Sequence, residues 1–265
     1  MKIASASMGA PVIAALGAAA LFGASTPFAK QLVGDISPVL LAGLLYLGSG
    51  IGLSLIRLLR NRDSQSTAIA AGDWPWLAGA IVFGGVLAPA LLMFGLTRTS
   101  AASASLLLNL EAVLTAVLAW IAFREHAHRR TVTGMLLIVA GGVVLSWPRA
   151  DAASGLGSLM IAGACLCWAI DNNLTRKISA GDALFIAAAK GLVAGAVNIG
   201  LASLAEPVLP AWPLVIAAMI VGWLGYGISL VLFVLALRGL GTARTGAYFS
   251  TAPYVGALIA IIAFG

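Results

Sequence analysis

The chain has 265 residues, of which 61% are hydrophobic and only 9% charged, where an ordinary soluble domain carries roughly a quarter charged residues. A mean hydropathy of +1.05 and 31 glycines exclude a soluble globular protein and leave an all-α polytopic membrane protein. The formal charge of +6 does not point to nucleic acid, because the basic residues come in ones and twos between long apolar runs, as membrane flanks do.

Apolar runs bounded by charge or by Gly/Pro turns predict nine spans, at 11–30, 38–56, 75–96, 100–123, 131–147, 155–175, 183–204, 212–237 and 246–265. The loops between them are short, so the chemistry is expected within the bundle or at its edges. The first run could be read as a secretory signal, since Lys2 precedes an Ala-rich stretch with small residues at Gly23, Ala24 and Ser25. It is assigned as a helix instead, because it has a counterpart later in the chain. With the N-terminus inside, cytoplasmic loops hold Lys2, Arg57, Arg60, Arg62, Arg124, Arg129, Arg130, Arg176, Lys177, Arg238 and Arg244. Only Lys30, Arg98 and Arg149 fall outside, and Lys190 lies within a span. This asymmetry predicts a cytoplasmic N-terminus and a multi-pass protein of the inner (plasma) membrane.

The chain repeats itself. A shift of 141 positions lays Gly84 on Gly225, Leu96 on Leu237, Ala116 on Ala257, and Ile121-Ala122-Phe123 on Ile262-Ala263-Phe264. A shift of 146 lays Phe22-Gly23 on Trp168-Ala169 and Lys30 on Arg176. The halves are offset by five spans, an odd number, so matching helices cross in opposite directions. That is an inverted-topology repeat, the plan associated with alternating access around a midplane site. The predicted units are 1–150, with helices one to five, and 151–265, with helices six to nine.

On these segments the sequence resembles the drug/metabolite transporter superfamily, in its EamA-like branch. The resemblance rests on Leu21-Phe22-Gly23 through Lys30 and Ser37-Pro38, on Asn109-Leu110-Glu111-Ala112-Val113 through Arg124-Glu125, and on Gly134 with Gly141-Gly142. Cys167-Trp168-Ala169 through Arg176 and Ala252-Pro253 continue it in the second half. It implies ten helices, five per half, and both termini inside. Against that pattern the fifth span, 131–147, lacks a second-half counterpart before Gly265. The expectation is a ten-helix protein lacking its last helix, with a nine-helix variant as the alternative. Ala112 also departs from the family, which often has there the proline that the second half keeps as Pro253.

Ionisable groups inside a span are expensive and default to functional hypotheses. Three qualify: Glu111, Asp171 and Lys190. On a continuous helix Glu111 shares a face with Ala104, Leu108, Thr115 and Ala119, which suits a cavity wall. It either binds a substrate amine or takes up a proton, or else it locks helix packing through a hydrogen bond, for example to Asn109. Asp171 and Lys190 are predicted at similar depths on neighbouring helices, as a buried ion pair. Such a pair either switches at a substrate site or gate, or fixes two helices together. Pro27, Pro89 and Pro253 are expected to kink their helices. Trp168, Tyr226 and Tyr248 are the aromatic candidates for the cavity lining, with Asn109 and Asn172 as polar ones, while Trp74, Trp76, Trp147 and Trp212 read as interfacial belt.

His126 and His128, on a basic loop without a third ligand, do not make a metal site. With Cys165 and Cys167 two apart in one apolar segment, neither a disulfide framework nor a metal site is expected. No phosphate loop or nucleophile paired with a base is present, so no enzymatic activity and no cofactor is expected. The expected partners are a small-molecule substrate, protons and the lipid bilayer. The function implied by the resemblance is secondary-active export of small organic metabolites, such as amino acids or drug-like compounds. An uncoupled facilitator or channel, and a non-transporting membrane scaffold, are the rivals.

Overall fold

The computed structural model describes residues 9–60, 69–122, 132–134, 136–137, 140, 152–205 and 210–264. The predicted span 131–147 lies largely outside this set, as do His126, His128 and Trp147. Among the described residues the fold is helical, with seven helices long and apolar enough to cross a membrane. These are α1 (Gly9–Leu32), α2 (Pro38–Leu59), α3 (Ala71–Thr97), α6 (Ala152–Ile178), α7 (Ala183–Ala205), α8 (Trp212–Leu240) and the stretch Thr242–Phe264. The last is built from α9 (Thr242–Phe249) and α10 (Ala252–Phe264). The remaining predicted span, 100–123, is not one helix. It divides into α4 (Ala101–Leu107) and α5 (Asn109–Ile121).

In lipid, apolar burial does not drive helices together, so association rests on close packing and hydrogen bonds. The most extensive contact runs along α2 and α7, and small residues make it. A Cβ on Gly43 would stand 2.7 Å from Ile199 Cγ1, and one on Gly50 or Gly191 would overlap the backbone of the other helix. Around this seam α1 packs on α8 and α10, and α6 packs on α3 and α5.

Two irregularities recur at the repeat distance. Within α3 the backbone widens into π-helix over Ile81–Leu87, and within α8 it does so over Trp223–Ile228. The break between α4 and α5 has its counterpart between α9 and α10, with Ala101 matching Thr242 and Ile121 matching Ile262 at a shift of 141. Pro253 takes the second position of α10, where its missing N–H has no intrahelical partner to lose. It therefore marks a helix start rather than the expected kink. Pro89 likewise sits in the first turn after the first π segment.

The ends of the bundle are distinct. Lys30 Nζ donates to the Leu96 carbonyl, 2.5 Å away, and Gly157, at the start of α6, lies against Arg98 and Thr99. At the opposite end Arg57 pairs with Asp182, with Nε 3.7 Å from Oδ2, and stacks over Phe185 at 4.8 Å. Arg238 joins them there, its Nε donating to Ser179 O at 2.7 Å and its Nη2 to Gly181 O at 2.6 Å.

Candidate substrate chamber

In a π-helical turn the backbone bonds run from i to i+5, and Pro89, five residues after Gly84, has no N–H to give the Gly84 carbonyl. In α3 the carbonyls at that point become the organising feature of a polar centre. Gly84 O accepts from Tyr46 Oη at 2.6 Å and from Trp168 Nε1 at 3.1 Å. Gly85 O accepts from Asn198 Nδ2 at 3.0 Å. Three side chains from α2, α6 and α7 thus converge on one turn of α3. Position 84 must lack a side chain, because a Cβ there would overlap the Asp171 carboxylate.

Asp171 accepts both of its strong contacts from Lys190, whose Nζ lies 2.5 Å from Oδ1 and 2.6 Å from Oδ2. Thr175 Oγ1 donates to the same Oδ1 at 2.8 Å. Both partners are sealed, with side-chain exposures of 1% for Lys190 and 5% for Asp171. A charge pair this buried holds only because each member satisfies the other. The predicted pairing of α6 with α7 is therefore present.

The break before Asn109 changes the setting of Glu111. Instead of lying mid-helix, it occupies the first turn of α5, the end at which the helix dipole favours a negative group, with its own N–H bonded to Leu108 O at 3.1 Å. Its carboxylate is buried and accepts from Asn172 Nδ2 at 2.9 Å, the same amide that donates to Thr115 Oγ1 at 3.1 Å. The partner is thus Asn172 across the interface rather than Asn109. Next to it, Asn173 Nδ2 donates to Thr115 O at 3.0 Å, tying α6 to α5.

These groups border a chamber of about 50 Å³, room for a few waters. Its polar wall is Glu111, Asn172, Asp171 and Lys190, with Ser229 opposite. The apolar wall is aromatic: Phe22 meets Trp168 edge-on at 5.4 Å, Tyr226 at 5.5 Å and Phe249 at 5.4 Å, and Tyr46 lies 5.4 Å from Tyr226. Tyr226 Oη is buried without a hydrogen-bond partner, the kind of group a bound solute satisfies.

Six of the eight sequence candidates come together here: Glu111, Asp171, Asn172, Lys190, Trp168 and Tyr226. Two do not line the chamber. Tyr248 is 38% exposed, because the rotation of α9 turns its neighbour Phe249 inward instead. Asn109 is buried at the helix break, where its Nδ2 donates to Leu106 O at 2.9 Å, bridging the ends of α4 and α5. Tyr46, Phe22, Ser229 and Phe249 were not predicted. The shift of 146 that lays Phe22 on Trp168 was the available signal for Phe22, whereas Tyr46 carries none of its own, since its role depends on a carbonyl left free within the π segment before Pro89.

The comparisons with known proteins agree on a family. The EamA-like transporter family model matches residues 9–147. An uncharacterised transporter of Methanothermobacter thermautotrophicus is 30% identical over 94% of this chain and 78% of its own. A probable 4-amino-4-deoxy-L-arabinose-phosphoundecaprenol flippase subunit, ArnE, of Pseudomonas aeruginosa is 42% identical over 30% of this chain and 66% of its own. One crystal structure superimposes with a TM-score of 0.76 at 21% identity, covering 98% of this chain and 90% of that one, and so shares the fold. A multi-pass helical chain with a polar chamber between its helices, this protein belongs to the EamA-like transporter family.

Proposed function

We propose that the chain is a secondary-active exporter of small organic metabolites, amino acids or drug-like compounds among them, working by alternating access around the Glu111 chamber. The two halves, 1–150 and 151–265, act as inverted repeats in the inner membrane with the N-terminus cytoplasmic. Support for this plan comes from the paired π turns and paired helix breaks at a shift of 141, because interrupted helices in corresponding positions of two halves are where transporters place substrate sites.

The observation that carries the reading is the charge balance of the chamber. Asp171 and Lys190 neutralise each other, so Glu111 is its uncompensated acid, and Asn172 leaves the second carboxylate oxygen free. A substrate ammonium, or a proton exchanged for it, is the complement. The aromatic wall then accepts the apolar body of the solute and adds cation–π attraction. A chamber of about 50 Å³ holds only waters, so loading a metabolite requires the aromatic wall to part.

The test is flux in proteoliposomes from a mixed metabolite pool, read by mass spectrometry with and without a pH gradient, for wild type and Glu111→Gln. Gln keeps the size and the acceptor for Asn172, so the fold is retained. Gradient-driven movement of one solute class, lost in Glu111→Gln, is expected. Flux indifferent to both gradient and mutation would instead make the protein a facilitator with Glu111 as a packing residue.

A further inference from the structure

Arg176 and Lys30 occupy matching places, 146 residues apart, at opposite ends of the bundle. Lys30 spends its ammonium on the Leu96 carbonyl. The counterpart of Leu96 is Leu237, whose carbonyl takes the Gly241 N–H instead, at 3.0 Å. Arg176 is therefore released from that role. It donates only weakly, from Nη1 to Ser179 Oγ at 3.3 Å, and its Nε is buried without an acceptor. A buried guanidinium N–H without a partner is a cost that calls for an acceptor from elsewhere.

A cleft of about 390 Å³ opens beside it, walled by Arg176, Arg238, Arg244 and the Gly239–Ala243 turn. Arg238 is pinned there by two backbone carbonyls, so its charge is held in place at little further entropic cost. Gly241, at φ 79°, makes a turn that an L side chain disfavours. It places Ala243 and Arg244, in the first turn of α9, on the wall of the same cleft. Among the described residues no acid lines the cleft, and none forms an ion pair with Arg176, Arg238 or Arg244.

We infer that this cleft binds a phosphate oxyanion, either the headgroup of an anionic phospholipid or a free phosphate. Three arginines on the wall of one cleft supply positive charge, and the unsatisfied Nε of Arg176 an N–H, for a phosphate oxygen. The site is separate from the chamber and does not rest on the proposed transport activity.

The experiment is thermal unfolding of the purified full chain in detergent, titrated with phosphatidylglycerol, phosphatidylcholine and inorganic phosphate. The expected result is a rise in Tm with phosphatidylglycerol or phosphate and none with phosphatidylcholine. Arg244→Gln and Arg176→Gln should each weaken the apparent affinity roughly tenfold, as loss of a charged hydrogen bond does. Arg244 is exposed, so its variant tests the site without disturbing the core. Stabilisation by phosphatidylglycerol at concentrations where inorganic phosphate is silent assigns a lipid headgroup, and equal stabilisation by phosphate alone assigns a free anion. Equal responses to both lipids with none to phosphate, or a response unchanged in both variants, would overturn the site.

Discussion

The two π turns share a backbone plan and differ in chemistry. In the first, Gly84 lies against Asp171; in the second, Gly225 lies against Ser25, and Ser25 is the position that a shift of 146 lays on Asp171. Both glycines are obligatory for the same steric reason. Yet the first turn gathers an ion pair, a tyrosine, a tryptophan and an asparagine, whereas Ser25 merely donates to Phe22 O of its own helix, at 2.6 Å. The π turns and the helix breaks recur at a shift of 141, whereas the ion pair and the two aromatic donors gather at the first π turn alone.

This contrast can be broken most forcefully at Lys190. Lys190→Met strands a buried carboxylate, and a loss of about 3–5 kcal/mol is expected, read as a collapse of the unfolding midpoint in detergent. The double variant Lys190→Met/Asp171→Leu should recover most of it, because an apolar pair of similar volume replaces the charges. A double variant as unstable as the single one would show that the pair is not simply structural compensation. Next in size is Gly84→Ala, whose Cβ collides with Asp171. Forcing the helices apart should cost about 1–3 kcal/mol and displace the ion pair, so unfolding and solute flux should suffer together. A smaller effect is expected of Tyr46→Phe. It removes one of two donors to Gly84 O while Trp168 stays in place, for about 0.5–1.5 kcal/mol in the same melt. Smallest is Ser25→Ala, at the counterpart of Asp171, which should fall within about 0.5 kcal/mol of wild type, and a larger loss there would erase the asymmetry.

Much of this was legible in the chain. Long apolar runs fix helices whatever their neighbours, so the ends of α1, α2, α7 and α8 fall close to the predicted boundaries. Asp171 and Lys190 were readable as partners because charge in a span has few places to go. What hydropathy does not encode is backbone irregularity. The stretch 100–123 is free of proline, so nothing in its composition announces the break at Leu108, and the one hint was Pro253, which matches Ala112 four residues beyond the break. The break then decided two further readings. It moved Glu111 from mid-span to a helix start, and it turned Asn109 from a candidate ligand into a brace between helices. Tyr248 missed the chamber by a single step of helix rotation, a scale finer than periodicity resolves when both Tyr248 and Phe249 are aromatic.

The sealed Asp171–Lys190 pair bears on electrical behaviour. Because those charges cancel, the chamber's charge under the proposed mechanism is set by Glu111 alone. An empty, ionised carrier is one negative charge away from a carrier loaded with a monocation or a proton. A membrane potential of 100 mV acts on one elementary charge with about 2.3 kcal/mol if the charge traverses the whole field. Voltage should therefore accelerate or retard the return of the empty carrier and leave the loaded step indifferent, so that a charge pair taking no part in binding determines which half of the cycle feels the field.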